Sequence, residues 1–203
     1  SEESATSPLQ DVPVRRTNRM LLGTVLHELL ELLPGIDTAE RDTAAAHYLA
    51  KPAFGFSAET QAAALKNVLA VLEDPRFKRL FGKGSRAEVP LAGYISHKGE
   101  KKLLSGTIDR LVIDGNSVTI VDYKNVMKVP KTPGDVSGKY LLQMASYQLI
   151  LQKLYPGKTV SCALLFTDTA AYMPLPDDLL KAALEKEGVA LFKEALPPAP
   201  PGP

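Results

Sequence analysis

The sequence predicts an α/β fold, a sheet with helices on both faces and an N-terminal helical region, and three observations carry that prediction. Apolar residues recur at helical spacing through the first third of the chain, and three β-rich runs follow one another in its middle. A helix, a strand and a further helix then close the chain, the alternation expected of a sheet covered by helices.

Residues 1–17 are polar, contain two prolines and read as a linker. From Met20 to Leu33 the apolar positions Leu22, Val25, Leu26, Leu29, Leu30 and Leu33 lie on one helical face, and Pro34-Gly35 stops the segment. Two further helical stretches are Thr38 to Leu49 and Ser57 to Leu72, the second opened by Ser57 as N-cap with Thr60 three residues on. These make residues 18–82 a helical region, and residues 83–196 the core that follows it within one domain, 18–196.

Past Gly82-Lys83-Gly84 the pattern turns to strands over Ala87 to Ile95, Leu103 to Ile113 and Ser117 to Val126. Residues 127–138, rich in Lys, Pro and Gly, form a loop before a helix over Tyr140 to Leu154, closed by Pro156-Gly157. Val160 to Thr167 is nearly all apolar, as in a strand buried on both faces, and Asp177 to Ala195 is amphipathic. Residues 197–203 form a proline-rich tail that cannot continue a helix.

A length of 203 residues suits one domain, and 45% hydrophobic with 23% charged residues is ordinary for a globular chain. The net charge of +1 says nothing about a nucleic-acid partner, which would need a local basic patch. Cys162 is the one cysteine, so this chain alone supplies neither an internal disulfide nor a four-cysteine metal or iron-sulfur site. No apolar run reaches membrane-spanning length and Ser1-Glu2-Glu3-Ser4 is no signal peptide, so a reducing cytoplasm is the expected setting, with no membrane partner. The start reads equally as a cut from a longer protein or as an engineered end.

The most informative stretch is Asp114-Gly115-Asn116-Ser117, which separates two β runs. A two-residue turn on Gly115-Asn116, with glycine supplying the positive φ of a type II′ hairpin, sets Asp109 opposite Asp122. Directly opposed residues have Cβ atoms about 4.5 to 5.5 Å apart, and two carboxylates so placed repel unless something positive joins them. Alternation along the second strand puts Lys124 on the face of Asp122. Hard oxygen donors at that separation suit Mg²⁺ or Mn²⁺, which can polarise a phosphodiester, with Lys124 orienting a water or balancing charge. Spacing alone leaves two readings open, this one and a surface salt bridge at the end of two strands. A second register, with Asp114-Gly115 as the turn, would instead set Ile120 opposite Asp109.

Four blocks stand in order along the chain: Gly23-Thr24-Val25-Leu26-His27, Gly106-Thr107-Ile108-Asp109-Arg110, Val121-Asp122-Tyr123-Lys124 and Gln143-Met144-Ala145-Ser146-Tyr147. In this combination the chain resembles the RecB-like branch of the PD-(D/E)XK nucleases. With Arg86-Ala87-Glu88-Val89-Pro90 and Cys162 to Asp168, it resembles in particular the C-terminal nuclease domain of bacterial AddA helicase-nuclease subunits.

The resemblance implies a restriction-endonuclease-like core, a mixed central sheet flanked by helices, and an Mg²⁺- or Mn²⁺-dependent exonuclease-type deoxyribonuclease of double-strand-break repair and recombination. It implies metal binding by His27, Asp109, Asp122 and the Tyr123 backbone carbonyl, with Lys124 as the catalytic lysine beside Asp109 and Asp122. Glu88 matches an acidic residue of the family and ranks below these as a metal or catalytic group. Gln143 and Tyr147, at i and i+4 on one helical face, are implied to hold DNA or support the active site. Asn125 departs from the family's threonine after the lysine. The implied partners are a single DNA strand delivered by a helicase motor and an AddB-like subunit.

Read without the family, His27 is a half-buried helical histidine, and Gln143 and Tyr147 are the polar edge of a core helix. Lys128, Lys131 and Lys139 are equally a basic lip for a phosphate backbone or a solvated loop. The four-cysteine iron-sulfur site of several relatives cannot form here, and no G-x-x-x-x-G-K-[ST] motif supports an ATP site in this segment. The other class of function left open is a non-catalytic DNA-binding or subunit-docking module.

Overall fold

The structure, a computed structural model, describes the backbone of residues 11–194 and the side chains of residues 18–194. The first ten residues of the expected linker and the proline-rich tail lie outside the described residues. The described residues fall into two compact units. One runs up to Ala87 and includes Asp122–Val129 and Leu165–Tyr172; the other comprises Glu88–Val121, Pro130–Leu164 and the residues from Met173 on.

In the first unit, helix α1 spans Asp11–Leu32, α2 spans Arg41–Leu49 and α3 spans Ala58–Glu73. The helix begins at Asp11 rather than at Met20, so residues 11–17 are helical where the sequence suggested linker. Pro13 does not prevent this, because an N–H in the first turn has no intrahelical acceptor to lose. The apolar stripe is buried as its period requires: Val25, Leu26, Leu29, Leu30 and Leu33 are each 1% exposed. The α3 N-cap forms as expected, Ser57 Oγ accepting from Thr60 N at 3.1 Å. Residues Thr38–Glu40 are a 3₁₀ turn ahead of α2 and not part of the α-helix.

Strands β1 (Ser85–His97) and β2 (Glu100–Asp114) are longer than their apolar runs, because Lys98 and Gly99 join them directly. Both turn residues have positive φ, +52° and +83°, the type I′ geometry that matches strand twist. Strand β3 is Ser117–Lys124, and the β2–β3 pairs from Asp114↔Ser117 to Arg110↔Val121 follow the Gly115-Asn116 turn register. Gly115 has φ +55° and Asn116 is not among the positive-φ residues, the type II′ pattern. Ile120 pairs with Leu111, so the competing register is excluded.

Helix α4 (Gly138–Leu154) leads to β4 (Thr159–Phe166). Thr159 N donates to Asn116 O at 2.8 Å and Thr167 N to Lys124 O at 3.0 Å, so β4 runs parallel to β3 with α4 as the crossover. Strand β5 (Ala171–Leu175), helix α5 (Asp177–Glu187) and strand β6 (Val189–Leu191) complete the order, and the six-stranded sheet reads β5-β4-β3-β2-β1-β6. It is a mixed sheet flanked by helices, with the helical region N-terminal to it, as the fold class required. The last helix stops at Glu187, short of Ala195, because Gly188 takes the left-handed conformation at φ +65°. The chain then pairs as β6 with β1 through Ile95↔Leu191 and His97↔Val189.

Candidate active site at the end of β3

The buried positions of β3 are apolar or aromatic with one exception: Val118, Ile120, Val121 and Tyr123 are buried, and so is Asp122, 8% exposed. A carboxylate in such a strand loses its hydration and needs a cation to remain ionised. Lys124, two residues on and therefore on the same face, supplies it, with Nζ 2.6 Å from Asp122 Oδ2. Both side chains are mostly shielded, 15% and 11% exposed, which excludes the solvated surface salt bridge.

Helix α1 brings His27 to the neighbouring residue. Its imidazole meets the Tyr123 ring edge-on, with centroids 5.2 Å apart and planes at 84°. One turn earlier, a side chain at Gly23 would be in van der Waals contact with Asn125, 3.8 Å from its amide nitrogen. Two turns earlier, Arg19 Nη2 lies 3.3 Å from Asp168 Oδ2. With its amide oriented to donate, Asn125 Nδ2 bonds both Asp168 oxygens, at 2.9 and 2.8 Å. Burial pushes the Asp168 carboxyl above its ordinary range, while the charge and hydrogen bond of Arg19 act against that.

Within the second unit, Glu88 and Asp109 each offer one carboxylate oxygen, and these lie within 4.8 Å of one another. Two carboxylate oxygens at that separation are a donor set that fits a divalent cation of the magnesium or manganese type. Glu88, which the resemblance ranked low, thus stands beside Asp109. The reason Glu88 was hard to rank is local: its φ of +49° is left-handed inside β1, so the face it occupies does not follow from strand alternation. A non-glycine residue held there costs about 1–3 kcal/mol, a strain that recurs at functional sites.

On α4, Gln143 is exposed and donates to the Tyr147 hydroxyl at 3.4 Å, while Tyr147 is 5% exposed. Gly106 on β2 explains that placement, since a Cβ there would stand 2.0 Å from the Tyr147 hydroxyl oxygen. Lys139 and Gln143 line a groove of about 440 Å³ with Lys102 of β2. Lys128 and Lys131 are exposed and are not among its lining residues. Arg19 and Asp168 went unrecognised in the sequence as a pair; the available signal was that Asp168 follows the end of β4 as Asn125 follows the end of β3.

The family model of the PD-(D/E)XK nuclease superfamily matches residues 6–197. The chain belongs to that superfamily. Members of the PD-(D/E)XK superfamily are mostly nucleases and generally use divalent metals, and the acidic pair Glu88 and Asp109 is a candidate group for holding one. No curated protein matches the chain significantly. Among solved structures, one titled "Crystal structure of SSO0001" is similar at 14% identity over 85% of each chain, with a TM-score of 0.36, too low to carry an argument. Among the described residues of this PD-(D/E)XK chain, no helix is long and apolar enough to cross a membrane.

Proposed function

We propose that this chain is a metal-dependent DNA nuclease domain hydrolysing phosphodiesters in the exonuclease manner, and that it serves an AddAB-type helicase-nuclease in double-strand-break repair. The observation that carries this reading is the shielded Asp122–Lys124 pair, 2.6 Å apart, at the end of β3 in a PD-(D/E)XK chain. The order of the four sequence blocks supports the finer assignment, with a single strand delivered by a motor, an AddB-like partner subunit and a cytoplasmic setting.

In this reading His27, Asp109, Asp122 and the Tyr123 carbonyl would hold the cation, with Glu88 beside them. When bound, the cation supplies positive charge against the negative charge that builds up on the reacting phosphate. Lys124, held in place by Asp122, orients a water for attack and balances the charge at phosphorus through its ammonium protons. Asp122 has a second task, holding that ammonium in its aim from 2.6 Å. Gln143 and Tyr147 support the substrate strand, Gln143 through its exposed amide.

The test is cleavage of end-labelled single-stranded oligonucleotides with Mg²⁺ or Mn²⁺ by the wild type, Asp122→Ala and Lys124→Ala. Each variant is expected to lose about 10³-fold or more in kcat, the scale of removing a group that stabilises transition-state charge. Equal cleavage by all three overturns the reading. Binding of DNA with no turnover by the wild type selects the docking module instead.

A further inference from the structure

The end of β3 is held from behind by a network that the four family-like blocks do not contain. Thr167, just past β4, donates its backbone N–H to the Lys124 carbonyl at 3.0 Å, and its hydroxyl reaches the same oxygen at 3.4 Å. The next residue along each chain segment repeats the tie with side chains, Asn125 donating to both oxygens of Asp168 at 2.9 and 2.8 Å. Arg19 completes it, 3.3 Å from Asp168, on the helix that carries His27 two turns later. Asp168 thus accepts from the residue after Lys124 and from the helix that presents His27.

We propose that Asp168, with Arg19 and Asn125, is a positioning unit that fixes the backbone and aim of Lys124 relative to α1. A carboxylate at this place accepts from two partners on different segments, so it resists both a slide of β3 and a roll of α1. Of the two contacts made from α1, the ring contact of His27 falls on Tyr123, the residue before the lysine, and the ion pair of Arg19 falls on Asp168, the partner of Asn125 that follows it. Asparagine after the lysine, in place of the family's threonine, is the residue whose amide can span to both Asp168 oxygens at once. Asp168 does not act on the substrate; it acts through Lys124.

The inference rests on the hydrolytic reading above, and its experiment separates the two. Kinetics on single-stranded oligonucleotides with Mn²⁺ are compared for wild type, Asp168→Ala, Arg19→Ala and the swapped pair Arg19→Asp with Asp168→Arg. Loss of positioning predicts a fall in kcat of about tenfold to a hundredfold with KM changed less than about twofold. The swap restores the ion pair, and the Asn125 amide can turn to accept from the new arginine, so it should recover at least about a third of wild-type kcat. Unchanged kcat in Asp168→Ala, a loss seen mainly in KM, or a swapped pair no better than the single variants overturns the proposal. A parallel measurement needs no turnover: the rate at which an amine-acylating reagent modifies Lys124 at one fixed pH, read by peptide mass spectrometry. If the wild type proves inactive, a change of about threefold or more in that rate in Asp168→Ala still supports the positioning unit, and an unchanged rate overturns it.

Discussion

At the end of β3 the buried polar groups carry charge, and in the middle of α4 they are neutral. Asp122 is shielded with Lys124 as its ion-pair partner, an arrangement whose desolvation cost a pair of apolar residues would not incur. On α4, Ser146 and Gln148 are as deeply buried, and both are bonded as a core requires. Ser146 donates to Leu142 O at 2.7 Å, and Gln148 Nε2 bridges Val160 O at 2.9 Å and Asp177 Oδ1 at 3.0 Å, joining α4 to β4 and to the start of α5. Gln148 is accounted for by the packing it organises. The Asp122–Lys124 pair carries a desolvation cost that the neutral Gln148 does not, and such buried charge pairs recur at functional sites.

The sharpest way to break this contrast is to neutralise the pair with residues of similar shape. Asp122→Asn with Lys124→Met should abolish cleavage, about 10³-fold or more and so about 4 kcal/mol of transition-state stabilisation, while leaving Tm equal or higher. A fall in Tm of more than about 5 °C would show that the pair holds the fold together and end the comparison.

Smaller, and confined to the second unit, is the effect of closing the space above β2. Gly106→Ala drives a methyl group toward the Tyr147 hydroxyl and should cost about 1–3 kcal/mol in chemical denaturation. Adding Tyr147→Phe removes the clashing oxygen and should return part of that loss. No recovery in the double variant would mean that Gly106 is required for another reason.

Smallest is a pH dependence of stability at Asp168. Its folded carboxyl lies above the ordinary value of 3.8 because burial outweighs Arg19. The protonated form is therefore favoured by folding, so this contribution is fully present below the unfolded value and is lost as pH rises through the folded one. Asp168→Asn should accordingly be at least as stable as wild type at neutral pH, the difference vanishing as pH falls toward the ordinary carboxylate range. Thermal melts across that acid range decide it, and a variant clearly less stable at neutral pH would make Asp168 a stabilising group.

Much of the site was legible because its determinants are local. The turn on Gly115-Asn116 carries the register of β2 and β3, and alternation then aligns Lys124 with Asp122. Glu88 was not legible in the same way, since its left-handed backbone breaks the alternation that assigns faces. Strand β6 escaped notice because a helical pattern runs on past Gly188 in the sequence, and only the pairing with β1 selects strand over helix there.

The amino-acid order by itself determined the helical stripe of α1, the hairpin register and the acid–lysine alternation, because each follows from the repeat of a single element or the chemistry of one turn. Tertiary structure alone decided that Arg19, Asn125 and Asp168 meet, and that Glu88 and Asp109 bring their carboxylate oxygens together. Those residues stand far apart along the chain, and no local period encodes a distance that depends on how a helix lies against the ends of two parallel strands.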